Sequence, residues 1–175
     1  MKLLVTGGCG FIGSHLVDLL LKEKHEILAI SKYNSSGSVG FLSACQANRN
    51  LKIELGDVTD SSFVNACVKK VDCIINLAAL IGIPYSYKNP RHVYNVNLLG
   101  CLNILEAARE YNKHVIHTST SEVYGDATRM PISEKTLPYA KSPYAATKIG
   151  ADQIAQSYYS TYDLPVSIIR PFNTY

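Results

Sequence analysis

The N-terminus constrains the fold more than any other part of the chain, because a short apolar segment runs through a glycine-rich turn into a helical pattern. Lys2–Thr6 predicts a strand, and the glycines after it fit G-x-G-x-x-G through Gly8, Gly10 and Gly13. They equally fit the wider G-x-x-G-x-x-G that begins at Gly7. Such a turn lets the backbone approach a pyrophosphate that the helix N-terminus then faces. The pattern predicts a dinucleotide site, and an ordinary glycine-rich turn is the alternative.

Strand and helix patterns alternate along the whole chain, which is typical of an α/β protein with a parallel sheet. The predicted strands are Lys2–Thr6, Glu26–Ser31, Leu51–Leu55, Cys73–Ala79, Lys113–Ser119 and Pro165–Arg170. Two long helices are predicted at Pro90–Tyr111 and Ser142–Tyr162. At 175 residues and 47% hydrophobic the chain can bury one sizeable core. We therefore predict one doubly wound Rossmann domain over residues 1–175.

Composition narrows the function classes. A net charge of +3 with no basic block does not favour nucleic-acid binding, and no apolar run approaches the roughly 20 residues that span a bilayer. The N-terminus meets glycine too early for a signal peptide. Five cysteines without Cys-x-x-Cys spacing indicate buried free thiols in the reducing cytoplasm. His114 and His117 flank a strand, so no metal site is predicted.

The end of the second strand bears on cofactor choice. Folds that prefer NAD usually place Asp or Glu there to hold the ribose 2′-hydroxyl. This chain has Ser31 and Lys32 instead, which would not repel a 2′-phosphate. We expect NAD(P) as cofactor with NADP slightly favoured, and a plain solvated loop is the alternative.

Residues at the ends of the third and fourth strands have two interpretations each. Asp57 is placed to accept from an adenine amino group, while Asp60 is expected to cap the following helix. Ala78 and Ala79 leave room for a cofactor, although tight helix packing explains them nearly as well.

The segment His117–Gly125 carries four serine and threonine hydroxyls and a carboxylate where the fifth strand opens towards the sheet edge that binds ligands. Tyr144 and Lys148 follow at an i, i+4 spacing, which puts both side chains on one helix face. A hydroxyl residue such as Thr120, a tyrosine and a lysine that converge on one cleft predict a proton-transfer site. Glu122 suggests a second proton transfer.

Taken in order, TGGCGFIG, GDVTD, NLAAL, the Asn97 helix, STSEVYG, YAATK and RPFNTY resemble the extended short-chain dehydrogenase/reductase superfamily over essentially the whole chain. Within it the chain resembles the nucleotide-sugar 4,6-dehydratases. ALIGIPYSY, TSTSEVYG and PFNTY are similar to the dehydratases of legionaminic-acid synthesis, which act on GDP-N-acetylglucosamine. The resemblance implies an NAD(P)-dependent lyase with a nucleotide-sugar substrate, and a homodimer that pairs the two long helices in a four-helix bundle.

The resemblance also assigns roles by position. Thr120, Tyr144 and Lys148 match the catalytic hydroxyl, tyrosine and lysine, and Glu122 matches the dehydratase carboxylate, where 4-epimerases carry a small or hydroxyl residue. The implied substrate contacts are Ser121 and Asn173. The implied cofactor contacts are Gly7, Gly10, Phe11, Ile12, Gly13, Ser31, Lys32, Asp57, Val58, Leu77, Ala78, Ala79, Asn97, Tyr144 and Lys148.

The chain departs from the family pattern in two places. Ser121 stands where dehydratases acting on dTDP-glucose have Asp, as in the GDP-mannose type, so the resemblance does not imply a two-carboxylate mechanism. The sequence stops at RPFNTY, inside a motif that continues Gly-Pro in this family. We therefore expect the C-terminal substrate domain to be missing from residues 1–175.

The implied chemistry is oxidation at C4, loss of water across C5–C6 and hydride return to C6. Tyr144 would take the 4-hydroxyl proton with its pKa lowered by Lys148 and the nicotinamide ring, and Glu122 would take the C5 proton. The alternatives are a 4-epimerase with Glu122 as a spectator, or a non-catalytic dinucleotide-binding module. Glu122 would then cap a turn or pair with Lys135 or Lys141.

Overall fold

The computed structural model describes residues 1–126 and 130–174, in which six parallel strands form one sheet in the order β3-β2-β1-β4-β5-β6. The strands are β1 (Lys2–Thr6), β2 (Glu26–Ser31), β3 (Leu51–Leu55), β4 (Cys73–Asn76), β5 (His114–Thr118) and β6 (Val166–Ile169). The helices are α1 (Phe11–Lys22), α2 (Ser61–Val68), α3 (Ile83–Lys88), α4 (Pro90–Tyr94), α5 (Gly100–Glu110) and α6 (Pro143–Tyr162). This confirms the predicted doubly wound Rossmann sheet.

Strand β1 lies in the middle of the sheet and pairs on both sides. Val5 is the register partner of Ala29 in β2 and of Ile75 in β4. The strand order reverses between β1 and β4, and such a reversal opens a crevice at the carboxyl ends of the strands. The site predicted from the glycine turn therefore lies where this topology places ligands.

The core is divided between the two faces of the sheet because successive strand residues point to opposite sides. Leu4, Ile74 and Val115 pack with helices α2, α5 and α6 on one face. Leu3 and Val5 pack with α1 on the other. With both faces covered, the central strands β1, β2 and β4 are buried runs, as is typical of parallel sheets, whereas the edge strands β3 and β6 are partly exposed.

The helix predicted at Pro90–Tyr111 forms, but it is not uniform. Between α4 and α5 the segment Asn95–Leu99 winds as a wider π-helical turn. Such turns are rare and frequently lie at functional sites. The second predicted helix is regular, and the side chain of Ser142 caps it by accepting from the backbone N–H of Ala145 at 3.0 Å.

Within the described residues, no helix is both long and apolar enough to cross a membrane. All five cysteines are free thiols. Cys67, Cys73 and Cys101 are buried, as expected, whereas Cys9 and Cys45 are only partly buried.

Candidate functional site

The glycine turn shows which of the two sequence frames faces the cleft. Gly7 adopts a φ of +67°, which favours glycine, and its carbonyl oxygen accepts from the N–H of Gly10 at 3.0 Å. A side chain at Gly13 would clash with that same carbonyl, so α1 packs against the turn without any Cβ between them. Gly8 instead lies against Ala29 of β2. The frame is therefore G-x-x-G-x-x-G.

A cleft of about 700 Å³ runs along the carboxyl edge of the sheet and contains nearly all of the predicted cofactor and catalytic positions. Those that line it are Gly7, Gly10, Phe11, Ile12, Gly13, Ser31, Lys32, Asp57, Val58, Leu77, Ala78, Ala79, Thr120, Glu122, Tyr144, Lys148 and Asn173. Other residues of the cleft wall were not predicted from the sequence as site residues, among them Thr118, Ser119 and Phe172. The sequence could have indicated them only through their position, because they lie at strand ends where other site residues were already predicted.

Thr6 fixes the switch point between β1 and β4. Its buried hydroxyl donates to the side-chain oxygen of Asn76 at 2.7 Å and accepts from the N–H groups of Leu77 and Ala78 at 3.1 and 3.0 Å. A Cβ at Gly7 would lie 3.1 Å from the Ala78 backbone. The chain thus leaves β4 earlier than predicted and passes close to the glycine turn.

The structure places Asn97 behind the cleft wall, outside the lining residues. Its side-chain oxygen accepts from the Leu80 N–H at 2.8 Å, and its amide nitrogen donates to the Leu80 carbonyl at 3.1 Å and to Thr147 at 3.0 Å. Leu80 itself lines the cleft. The polar contacts of Asn97 hold a cleft segment in place from the wide-turn region of the helix.

An ion pair joins the ends of β2 and β3 at the rim of the cleft. The Lys32 ammonium lies 3.0 Å from Asp57 Oδ2, while Asp57 Oδ1 accepts from the backbone and hydroxyl of Thr59 at 3.0 and 2.9 Å. Partial burial raises the pKa of Asp57, but Thr59 and Lys32 outweigh it and hold the pKa below its usual value. Asp60 caps α2 as predicted, through the N–H of Phe63.

The predicted catalytic groups converge at the other end of the cleft. Tyr144 and Lys148 share the buried face of α6, and the Lys148 ammonium donates to the Thr118 carbonyl at 2.6 Å. Thr120 caps the short helix Ser121–Tyr124 by accepting from the Glu122 N–H at 3.3 Å. The Tyr144 hydroxyl hydrogen-bonds to the Thr120 side chain.

The expected lowering of the Tyr144 pKa is not found in the chain itself. Burial raises the pKa of Tyr144, the hydrogen bond with Thr120 lowers it and the charge of Glu122 raises it, so that it lies above its ordinary value. Lys148 does not offset this, because its ammonium is turned to the Thr118 carbonyl and burial lowers its own pKa. Any lowering must come from groups that bind in the cleft.

Glu122 is exposed at the cleft and free of the structural roles considered for it. Thr120, not Glu122, caps the turn, and Lys141 pairs with Asp126 instead. In residues 1–126 and 130–174, no cation lies within ion-pair distance of its carboxylate. A carboxylate that stabilises no neighbour is available for chemistry.

Behind these groups lies a buried polar network that the sequence analysis did not identify. The Arg170 guanidinium pairs with Asp152 Oδ2 at 2.9 Å and donates to the Tyr124 hydroxyl at 2.9 Å. His117 lies 3.7 Å from Asp152 Oδ1, and burial lowers the pKa of His117 to about 3. Asp152 follows Lys148 by four residues on the same helix face, and that spacing was its only sequence signal.

The two predicted substrate residues are placed differently. Asn173 lines the rim of the cleft, whereas Ser121 is not among the lining residues. The Ser121 N–H donates to the Pro171 carbonyl at 3.2 Å, which ties the short helix to the segment after β6.

Comparison with known proteins identifies one matching family model and several relatives of similar sequence. The model of the family described as GDP-mannose 4,6 dehydratase matches residues 4–175. Protein CapI of Staphylococcus aureus is 36% identical across the whole chain, which covers 54% of that relative. A dTDP-glucose 4,6-dehydratase of Mycobacterium tuberculosis is 33% identical, again with 54% covered. The chain therefore spans about half the length of the curated relatives it matches.

Solved structures share the same fold. Pal from Bacillus thuringiensis superposes with a TM-score of 0.93 at 37% identity, over all of this chain and 57% of that one. DesIV, a dTDP-glucose 4,6-dehydratase of Streptomyces venezuelae solved with NAD, superposes with a TM-score of 0.91 at 33% sequence identity. The match covers 97% of this chain and 55% of that one. A UDP-N-acetylglucosamine 4-epimerase of Methanobrevibacter ruminantium superposes with a TM-score of 0.88 at 33% sequence identity, over 97% of this chain and 54% of that one.

The doubly wound sheet, the glycine turn and the Tyr144–Lys148 pair define a Rossmann-fold protein of the extended short-chain dehydrogenase/reductase superfamily. Within that superfamily, the chain belongs to the GDP-mannose 4,6-dehydratase family.

Proposed function

We propose that residues 1–175 are the cofactor-binding part of a nucleotide-sugar 4,6-dehydratase whose substrate domain lies outside this chain. The observation that carries the proposal is the Glu122 carboxylate, which lines the same cleft as Tyr144 and has no cation partner in the described chain. Dehydration needs a base for the C5 proton in addition to the groups that oxidise C4. The matched dTDP-glucose 4,6-dehydratase of Mycobacterium tuberculosis, of which this chain covers 54%, supports the assignment.

The residues present fit a nicotinamide dinucleotide. The glycine turn leaves no room for a Cβ at Gly13 and directs the N-terminus of α1 at the cleft, which suits a pyrophosphate. DesIV was solved with NAD, which supports this class of cofactor. When bound, the nicotinamide accepts a hydride from C4 of the sugar and returns it at C6. The slight preference for NADP stays a prediction that rests on Ser31 and Lys32.

Tyr144 and Thr120 manage the proton of the sugar 4-hydroxyl. A tyrosine with a raised pKa is protonated at neutral pH, so the pKa of Tyr144 must be lowered before this residue can act as a base. Tyr144 lines the cleft, and the positive charge that an oxidised nicotinamide would supply there would lower its pKa. Lys148, whose side-chain nitrogen donates to the Thr118 carbonyl, shares the buried face of α6 with Tyr144.

Glu122 acts after oxidation. A ketone at C4 makes the C5–H acidic, and the exposed Glu122 carboxylate, which lines the same cleft, is placed to remove that proton. Glu122 then returns the proton to the hydroxyl that leaves C6 as water. Return of the hydride to C6, together with uptake at C5 of one proton, equal in number to that released from the 4-hydroxyl, then gives a 4-keto-6-deoxy sugar. With Ser121 before it, Glu122 performs both transfers alone.

The wider assignments are proposals as well. The substrate is a nucleotide sugar, with GDP-N-acetylglucosamine the candidate suggested by ALIGIPYSY, and Asn173 at the rim is placed to contact it. Helices α4 to α6 would pair with a second copy to form the dimer. Five free thiols support a reducing compartment such as the cytoplasm.

Glu122→Gln in the full-length enzyme tests the function. The variant keeps the shape and removes the basic oxygen, so loss of water from the sugar should fall by roughly a hundred- to ten-thousandfold while oxidation at C4 persists. Mass spectrometry of the nucleotide sugar and absorbance of the reduced cofactor would follow the two steps. Asp126→Asn, a neighbouring exposed carboxylate paired with Lys141, is the matched control.

The same assay separates the alternatives. Tyr144→Phe should block both steps. An epimerase, which the matched Methanobrevibacter enzyme exemplifies, would invert C4 without losing water and would tolerate Glu122→Gln. Near-normal dehydration by Glu122→Gln would assign the C5 base to another residue.

A further inference from the structure

The ion pair between Lys32 and Asp57 stands at the adenosine end of the cleft and has no part in the chemistry proposed for the other end. Both residues line the cleft, and their charged atoms are 3.0 Å apart. Lys32 follows β2, and Asp57 lies just after β3, so the two parallel strand ends bring together residues that are 25 positions apart. The pair is therefore a product of the sheet register.

The end of β2 is where a Rossmann fold contacts the ribose 2′ position. An acid there binds the 2′-hydroxyl of NAD, whereas a cation accommodates the 2′-phosphate of NADP. This chain offers both kinds of charge at that place, but from two strands. Ser31, the last residue of β2, is buried, so Lys32 is the first exposed side chain after the strand.

Asp57 is held in position independently of Lys32. Its Oδ1 accepts from the backbone and the hydroxyl of Thr59, which leaves Oδ2 to face the lysine. Lys32 has no such support, since 64% of its side chain is exposed. A carboxylate held by further hydrogen bonds and an exposed cation make an asymmetric pair, in which the lysine is the partner that can be drawn away.

We propose that Asp57 determines the cofactor specificity of this chain by engaging Lys32 and so restraining the lysine from a 2′-phosphate. The inference rests on the proposed dinucleotide function and refines it. With the pair closed, the adenosine end is nearly neutral and discriminates weakly between NAD and NADP. A 2′-phosphate must take Lys32 away from Asp57, whereas a 2′-hydroxyl need not disturb the pair.

Two small ligands isolate this end of the cleft. Adenosine 5′-monophosphate and adenosine 2′,5′-bisphosphate differ only by the 2′-phosphate, so the ratio of their affinities measures its recognition. Isothermal titration of the 175-residue chain with both ligands, and then with NAD and NADP, gives that ratio. Circular dichroism and thermal unfolding of each variant show that it is folded.

Asp57→Asn keeps the contact with Thr59 and removes the charge that engages Lys32. We expect it to raise the preference for the 2′-phosphate by roughly two- to fivefold, the range for a partly screened ion pair. Lys32→Ala should lower the preference by a similar factor, because it weakens binding of adenosine 2′,5′-bisphosphate more than binding of adenosine 5′-monophosphate. In the Lys32→Ala background, Asp57→Asn should have a smaller effect, because no lysine remains to be released.

The exposed pair Asp18–Lys22 on α1 provides matched controls, since its residues have the same charges at 2.6 Å outside the cleft lining. Asp18→Asn and Lys22→Ala should leave the affinity ratio unchanged. An Asp57→Asn variant whose ratio equals that of the unaltered chain, or whose effect persists in full without Lys32, overturns this inference alone. A folded chain that binds neither NAD nor NADP overturns the dinucleotide assignment and this inference with it.

Discussion

One ion pair lies at the rim of the cleft and another lies behind its opposite end, yet the two pairs differ in nearly every physical respect. At the β2–β3 end, 64% of the Lys32 side chain and 31% of the Asp57 side chain are exposed. At the β5–β6 end the corresponding values are 15% for Arg170 and 2% for Asp152. Water screens the first pair, so its energy is small and readily exchanged for that of a ligand. The second pair is shielded, so its loss leaves a charge that nothing solvates.

The difference matches the tasks proposed for the two ends. The outer pair decides between ligands and must open at little cost. The inner pair joins two elements that carry proposed catalytic groups, α6 through Asp152 and the short helix of Glu122 through Tyr124, to the end of β6 through Arg170. A catalytic constellation must be held to within a fraction of an ångström, which favours a rigid, buried connection.

The largest expected effect comes from breaking the inner pair. Arg170→Met leaves Asp152 buried without a counter-ion, so the free energy of unfolding should fall by about 3–5 kcal/mol at pH 7. Urea denaturation followed by circular dichroism measures it. Adding Asp152→Asn should recover part of the loss, because the orphaned charge is then removed. A loss below about 1 kcal/mol for Arg170→Met would show that water reaches this network.

A second test uses pH at the same end. His117 is neutral in the folded chain because burial, together with the Lys148 charge, lowers its pKa from 6.5 to about 3. Between these values the unfolded chain binds a proton that the folded chain excludes, so stability is complete above pH 6.5 and falls as the pH drops. At about 1.4 kcal/mol per unit, His117 should account for about 2 kcal/mol between pH 7 and pH 5.

The variant His117→Gln separates the pH dependence due to His117 from that of the neighbouring titratable groups. These groups, which surround the ring, are Asp152, Lys148 and Cys101. Its stability should fall less between pH 7 and pH 5 than that of the unaltered chain, by about the same 2 kcal/mol. His15→Gln, on the exposed surface of α1, is the control. If His117→Gln and the unaltered chain lose equal stability, the ring accepts its proton in the folded state.

The smallest effect is expected at the outer pair. Lys32→Met removes a screened interaction, so the free energy of unfolding should change by no more than about 1 kcal/mol. Denaturation in the same urea series as Arg170→Met makes the two ends directly comparable. A loss of the size expected for Arg170→Met would mean that the outer pair is a structural element rather than an exchangeable one.

The fold and much of the cleft were accessible from sequence because they depend on local patterns. Alternating strands and helices predicted the doubly wound sheet, and the glycine turn predicted where the cleft lies. The i, i+4 spacing of Tyr144 and Lys148 put both on one face, since helix geometry repeats every 3.6 residues. Local periodicity can be read directly from the order of residues, so these features could be predicted without knowledge of contacts between distant segments.

Tertiary structure decided the features that join distant segments. Two glycine frames fitted the turn, and only the packing of α1 onto the Gly7 carbonyl distinguished them. Asn97 matched a cofactor position, but the wide helical turn directs it to the Leu80 backbone. The pairing of Arg170 with Asp152 depends on how β6 lies beside α6. Sequence determined which groups the chain can offer, and strand register and burial determined which of them meet and how strongly their charges interact.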